Sequence, residues 1–507
     1  MKKIYFLLVF MATHIGAYSQ SGILDTSFGN NGIITTQIAG DYNSGEASVV
    51  QPDGKIVIAG QAGDAFTFKV AVARYNPDGT LDISFGNSGT LIIPVGPARS
   101  YARSVDLQDD GKIVVGAYTY DDVEGDFAVL RLNTDGTLDN SFGNNGITIV
   151  DAGSHEIVDA MTILNDGRII LAGNDYDNFL AARFNTNGSL DTTFGVNGWV
   201  TSEFESSASQ VKDITFQNDG KILLSGYAAN ISTGRHKIAA ARFNPDGSID
   251  TAFGNAGQVL FNIGNFDDYG VAVEVQTDEK IILGGYTTVS ISPFKYDFAA
   301  IRLNPDGSFD TSYGDNGIAI SRVYEDGRNY VEEMLIQPDN KVILVGFVAA
   351  SSDSNIGMIR FDTEGNVDTT FGIDGKVNTD ISGREDYGKA ITLQPDNKIV
   401  LTGFSYTNAF IGEMVVARYD NNILGTDEYQ SLEFSFYPNP ATEQINIKFE
   451  NTLTNHDVEI FDVSGKRLAT SKIQQLGNID ISDLATGTYL LKLTSKNKAA
   501  VVRFIKQ

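Results

Sequence analysis

The stretch Gln51-Pro-Asp-Gly-Lys-Ile-Val-Ile-Ala-Gly60 is rewritten six more times along the chain. The copies centre on Asp110-Gly-Lys112, Asp166-Gly-Arg168, Asp219-Gly-Lys221, Asp278-Glu-Lys280, Asp339-Asn-Lys341 and Asp396-Asn-Lys398. Asp and Gly supply a tight turn, and the β-branched run behind them suits a buried strand. Three signposts follow each turn in fixed order: an apolar segment with one Arg, a second turn such as Asn76-Pro-Asp-Gly79, and an Asp-x-x-Phe-Gly element. That element stands at Phe28, Phe85, Phe142, Phe194, Phe253, Tyr313 and Phe371, spaced by 52 to 60 residues. A period of this length means a row of repeated supersecondary units and excludes most single-core folds.

Each period fits four short strands. In the first copy these are A (Ala47 to Gln51), B (Lys55 to Ala59), C (Phe68 to Tyr75) and D (Gly89 to Pro94). Strand C is apolar on both faces, with Val70 and Val72 on one side and Ala71, Ala73 and Tyr75 on the other, as a sheet packed between two neighbours requires. The expected fold is therefore all-β: a seven-bladed β-propeller over 20–420. The chain opens on a D element (Leu24 to Thr36) and ends its repeats on A, B and C without one, so the first strand is expected to complete the last blade and remove a free edge. An open superhelix of the same repeats is the alternative.

The Arg of strand C precedes the Asp of the Phe-Gly element by eight residues in six repeats: Arg74 and Asp82, Arg131 and Asp139, Arg183 and Asp191, Arg242 and Asp250, Arg302 and Asp310, Arg360 and Asp368. Arg418 lacks such a partner, and Asp25 is left over at the other end. One copy per repeat reads as structural pairs bracing each blade, with Arg418 and Asp25 pairing across the closure. The functional alternative is a ring of arginines that binds anions.

The ends have different compositions. Lys2 and Lys3, the apolar run Ile4 to Ala17 and small residues before Gln20 read as a signal peptide over 1–19. Residues 421–432 read as a linker, and 433–507 as a small β-sandwich of alternating strands such as Gln444-Ile-Asn-Ile-Lys-Phe449. The formal net charge is −27; the first 19 residues carry two Lys, and 431–507 nine Lys and Arg against eight Asp and Glu, which leaves −30 on 20–430. Such a surface repels phosphate backbones, so no nucleic-acid partner is expected. No further segment is long and apolar enough to span a bilayer. Cysteine is absent, which removes disulfides and thiolate chemistry.

The repeats resemble the delta-60 repeat, through the QPDGKIVxAG turn-strand, the xARYNPDGxLD strand-turn and the FGxxG element, over about residues 24–420. The resemblance implies a secreted or surface repeat protein, a propeller by expectation, with no fixed activity. The tail is similar to the C-terminal sorting domain of the type IX secretion system, through Tyr437-Pro-Asn-Pro-Ala441, Asp462-Val-Ser-Gly-Lys-Arg467, Leu484-Ala-Thr-Gly-Thr-Tyr489 and the basic Arg503-Phe-Ile-Lys506. It implies export through the periplasm by that machinery, then release or anchoring at the outer-membrane surface.

Catalytic constellations are thin. His155, His236 and His456 lie in different neighbourhoods, so neither a His-based metal site nor a triad is expected. Asn-x-Asp-Gly turns resemble pieces of a calcium loop but lack its full ligand spacing, so no cofactor is expected from a motif, and calcium beside a ligand at the loops stays open. If the Asp-Gly turns all lie on one face of the disc, the B–C and D–A loops share the other and vary as binding loops do. Candidate ligand-binding residues there are Tyr42, Tyr101, Tyr118, Tyr120, Asp268, Tyr269, Asp386 and Tyr387, aromatic faces beside carboxylates that suit a polysaccharide or peptide. Two readings stand: a non-catalytic binding scaffold, and a glycan hydrolase or lyase that uses carboxylates of the same loops.

Overall fold

A computed structural model describes residues 21–421 and 434–507, apart from 65–66, 98, 122, 176, 205, 231, 326, 350–352, 408–410, 450–455, 463–466, 474–475 and 496–497. The signal-peptide segment 1–19 and nearly all of the linker 421–432 lie outside the described residues. The chain divides into two compact units, the second beginning at Leu424.

The first unit holds seven four-stranded antiparallel blades, two of them joined by a single bridge, Tyr296 to Arg328. Blade 1 comprises strands A (Tyr42–Val50), B (Ile56–Gly63), C (Lys69–Tyr75) and D (Thr90–Ile93). Strand A of each blade lies against strand A of the next, and blade 7 (A at Asp386–Leu393) lies against blade 1, so the A strands form a closed inner ring. Blade 7 takes its outer strand from the start of the chain: Ile33–Thr36 pairs with Gly412–Tyr419, Ile33 opposite Ala417. Strand A is longer than the sequence reading and begins near residue 42 rather than 47. A β-bulge carries the pairing past the irregular Gly45–Ala47 step toward the variable loops.

The core lies between blades rather than within them. Val70 and Val72 pack with Val115, Ala117 and Leu130 of blade 2, whereas Ala71, Ala73 and Tyr75 pack with Val400 and Val416 of blade 7. Each blade therefore needs a neighbour on both sides.

The repeated signposts converge on one contact at the turn face. In all seven blades the strand-C Arg holds its Nε 2.7–2.9 Å from the Asp Oδ2. The cation of the Asp-Gly-Lys turn reaches the same carboxylate, as with Lys280 at 2.7 Å from Asp310 and Lys398 at 2.6 Å from Asp25. The guanidinium also stacks 4.4–4.6 Å above the ring of the Phe-Gly element. In six blades its Nη1 donates to a carbonyl in the second turn of the next blade, Arg74 to Thr134 at 2.5 Å and Arg418 to Pro77 at 2.5 Å among them. Arg360 meets the two borders of the repeat region instead, with Nη1 3.3 Å from Ser21 Oγ and 3.3 Å from Asn421 Oδ1. The Gly after Phe donates its amide to that next turn too, Gly86 to Asp135 O at 2.8 Å. At φ 51° Gly86 has left-handed backbone, and a Cβ there would lie 2.5 Å from the Leu91 side chain, so only Gly fits.

Among the described residues the second unit has two sheets. Phe434–Tyr437, Gln444–Phe449 and Leu476–Asp480 form one. The other orders Arg467–Ile473, His456–Asp462, Gly487–Ser495 and Lys498–Lys506. Alternate residues Ile445 and Ile447, Val458 and Ile460, and Leu491 and Leu493 meet in its core. Ala441 and Gln507 clip the last strand, through Ala441 N to Ile505 O at 2.8 Å and Gln507 N to Ala441 O at 2.9 Å.

Candidate functional site: the aromatic mouth of the channel

Strand A is the inner strand of every blade, so its side chains line the central channel. The D–A and B–C loops open on one end of it, and the aromatic residues gather there. One arc crosses blades 4 to 7: Tyr227, Tyr269, Tyr286, Tyr330, Phe347, Tyr387 and Phe404 follow one another with ring centroids 4.6–5.3 Å apart. His236, Tyr296 and Tyr406 flank it from strands B and C. A second arc runs through Tyr42, Phe68, Tyr101 and Tyr118 of blades 1 and 2 at 5.0–5.9 Å. Most of these rings are half-buried. Burial, with the Asp267 charge beside it, pushes the Tyr269 phenol well above its ordinary range, so it stays a neutral hydrogen-bonding rim. At the equivalent places blade 1 has Ser44 and Gln61, where Tyr42 and Phe68 continue the run from neighbouring positions, and blade 3 has Ile157 and Asn174, which interrupt the collar, with the Tyr120–His155 pair (5.6 Å) beside the gap.

Two residues farther along strand A lies a belt of charge. The residues at the β-bulge of blades 1 to 7 are Glu46, Arg103, Asp159, Lys212, Val271, Glu332 and Lys389. Signs alternate around the ring except at Val271. Arg103 Nη1 lies 3.0 Å from Glu46 Oε2, Lys212 Nζ 3.3 Å from Asp159 Oδ1 and Lys389 Nζ 3.0 Å from Glu332 Oε1. Burial opposes ionisation of Glu46, but the charges of Arg103 and Lys389 outweigh it and hold its carboxyl below the usual range. The belt and Tyr227, Tyr286 and Tyr330 enclose a cavity of about 400 Å³. A second hollow of about 240 Å³, lined by Tyr42, Phe68, Phe404 and Tyr406, joins it through Glu46, Arg103 and Lys389.

Beyond the belt the channel turns acidic. Asp213 Oδ2 accepts the Val273 amide of the next blade at 2.7 Å, and Glu274 and Asp106 take the amides of Ile336 and Ile163 in the same way. These carboxyls satisfy N–H groups that the inner edge leaves without a strand partner. Burial pushes Asp213 up to about 7 and, with the Asp213 charge, Glu274 up to about 8. Glu333 is raised well above its ordinary value by the same causes, and it lines the cavity.

Of the residues singled out by sequence, Tyr42, Tyr101, Tyr118, Tyr269 and Tyr387 stand in the collar and Tyr120 beside its gap. They are strand residues rather than loop residues. Asp268 and Asp386 are a correction. Both are fully buried and do not face the mouth. Asp268 accepts the amides of Ile263 and Gly264 at 2.9 and 3.2 Å, and Asp386 accepts that of Ile381 at 2.7 Å, so they hold the D–A loops in place. Sequence reading missed Tyr227, Tyr286, Tyr330, Phe347 and Phe404. It also missed the belt, whose members all stand five residues before the Gln (Leu164 in blade 3) that opens the repeated motif.

Comparison with known proteins agrees with this architecture. The family model described as a domain of unknown function (DUF5122) beta-propeller matches residues 51–85, 108–142, 164–194, 217–253, 276–313 and 337–371. The seventh copy is split between the two ends of the repeat region, which no linear match can join. The secretion system C-terminal sorting domain matches residues 435–507. Comparison with curated proteins gives no match. Among solved structures, a protein of unknown function from Dyadobacter fermentans is 10% identical, with 77% of this chain and 100% of that one covered and a TM-score of 0.42. The polysaccharide lyase Uly1 is 11% identical, with 81% and 94% covered and a TM-score of 0.44. The β-propeller domain of the Trilobed protease from Pyrococcus furiosus is 11% identical, with 76% and 98% covered and a TM-score of 0.40. No helix among the described residues is long and apolar enough to cross a membrane. The chain is thus a β-propeller built of DUF5122 repeats, joined to a secretion system C-terminal sorting domain that marks it for export.

Proposed function

We propose that the exported propeller is a binding scaffold that takes a polysaccharide chain at the mouth of its channel. The observation that carries this reading is the collar: a near-continuous run of half-buried aromatic rings around a charged floor. Aromatic faces stack on the C–H surfaces of sugar rings, while phenols and the ionic belt offer hydrogen bonds to hydroxyl groups. The type IX machinery would act through 433–507 and deliver the protein to the outer-membrane surface or beyond it, where glycans are at hand. A second reading, acid–base chemistry on the same ligand, rests on Glu333, whose raised carboxyl lines the cavity.

The test is a polysaccharide panel on the purified mature chain, with a peptide library as the other arm. Binding is expected to weaken by about tenfold or more in Tyr269→Ala and in Tyr387→Ala, from the loss of one stacking face each. Unchanged affinity in both variants, or binding confined to peptides, would sink the glycan reading. New reducing or unsaturated ends during the same incubations, lost in Glu333→Gln, would promote the catalytic one.

A further inference from the structure

We propose that Asp126, Asp151 and Glu156 form a divalent-cation site, of the size Ca²⁺ takes, where blades 2 and 3 meet at the variable-loop face. One carboxylate oxygen from each lies within 4.8 Å of the others. Ca²⁺ binds oxygens at about 2.3–2.6 Å, so two ligands on one ion are at most roughly 5 Å apart. The three residues come from separate stretches: the start of strand C in blade 2 (Gly125–Leu132), the segment after strand D (Ile147–Val150) and the start of strand A in blade 3 (Glu156–Ile163). No linear calcium motif could have shown them.

The second observation is an orphaned atom. Glu156 is completely buried; its Oε1 accepts the amide and hydroxyl of Ser154 at 2.8 Å each, the Ala152 amide also faces the carboxylate, and no donor meets Oε2 with full hydrogen-bond geometry. A buried carboxylate oxygen without a donor is costly, and native proteins rarely leave one.

Comparison between blades explains why this one is bare. Asp268 and Asp386 hold the same position in blades 5 and 7, where the residue opposite on strand B is Thr287 or Ser405, and each hydroxyl donates to the carboxylate. In blade 3 the residue opposite Glu156 is Asp175, which offers no donor when ionised. The donor has been exchanged for a fourth acid. Asp151 is exposed and leaves the site open to exchange with solvent. Such a site ties the loop between blades 2 and 3 to strand C of blade 2, beside the gap in the collar, and is independent of any glycan.

The experiment uses the full mature chain stripped with EDTA, titrated with CaCl₂ by calorimetry and with Tb³⁺ by sensitised luminescence. One ion per chain is expected, with a calcium-dependent rise in melting temperature. Asp151→Asn, an exposed change that leaves the fold intact, should weaken the ion at least tenfold. Glu156→Gln should melt above the stripped wild type, because its amide supplies the missing donor, and should no longer respond to Ca²⁺. Absence of heat, luminescence and thermal response in the wild type overturns the proposal, as does binding that both variants leave unchanged.

Discussion

At the turn face every blade commits the same residue types to the same contact: an Arg, its Asp, a turn cation and an aromatic ring. At the mouth the same strands carry different residues at equivalent positions, so that the bulge residue is Glu46, Arg103, Asp159, Lys212, Val271, Glu332 or Lys389 in turn. The turn face repeats because each blade must be fastened to the next in the same way. The mouth diverges because it is one asymmetric surface assembled from seven contributions. Repetition in this chain reports architecture, and variation at a fixed offset reports the site.

The largest effect that separates the two faces should come from a staple. Arg242 is buried, pairs with Asp250 at 2.8 Å and donates to the Pro305 carbonyl of the next blade. Arg242→Ala leaves Asp250 with its best partner gone and is expected to cost about 3–5 kcal/mol. Lys389→Ala removes a partly exposed member of the belt and should cost about 1 kcal/mol or less. Chemical denaturation of the mature chain measures both. Equal losses would break the comparison.

Acidity should separate the faces as well. Burial opposes ionisation of Asp82, yet hydrogen bonds from Ser84 and Lys55 and the Arg74 charge hold its carboxyl far below the usual range, and Asp25, Asp139, Asp191, Asp310 and Asp368 are lowered likewise. Those groups stabilise the fold above about pH 4, and the contribution is lost as pH falls. Asp213 and Glu274 have the opposite sign. With folded values of about 7 and about 8 they keep protons that the unfolded chain has released, so their contribution is full below about pH 4 and is lost as pH rises through 7 to 8. Melting temperature against pH should therefore fall on both sides of a maximum in the mildly acidic range. The double change Asp213→Asn, Glu274→Gln should flatten only the alkaline limb, by on the order of 1–2 kcal/mol. An unchanged alkaline limb would show that the channel acids do not carry it.

The same contrast governs what the sequence could reveal. Arg74, Asp82 and Phe85 were legible because seven copies at fixed spacing average out every local accident, and the partner left over in one end, Asp25, pointed to Arg418, 2.8 Å away. The mouth was legible only in part. Tyr269 and Tyr387 announce themselves beside acids, but whether Asp268 faces the channel or the loop beneath depends on a single step along strand A, and neighbouring residues point to opposite faces. The bulge then shifts that alternation by one, which hid Glu46 and Arg103 as channel residues. The cation ligands Asp126, Asp151 and Glu156 meet only through tertiary packing.

The smallest effect tests whether divergence at the turn face carries any meaning. Tyr313 is the one non-Phe among the seven stacked rings; it is fully buried, its ring lies 4.5 Å below Arg302, and its hydroxyl has no hydrogen-bond partner among the described residues. The ring does what each Phe does, and the oxygen adds only a desolvated group. Tyr313→Phe should therefore keep the stack and raise stability by about 1 kcal/mol, which for a unit of this size is a rise of roughly 1–2 °C in melting temperature. The reverse change in a neighbouring blade, Phe253→Tyr, should lose a similar amount. Were Tyr313→Phe to melt lower than the wild type, the hydroxyl would have a function, and variation at the staples would have to be read as the mouth is read. A gain in one and a loss in the other leaves the division intact: at the staples a changed residue is a defect that the ring tolerates, and at the mouth it is content.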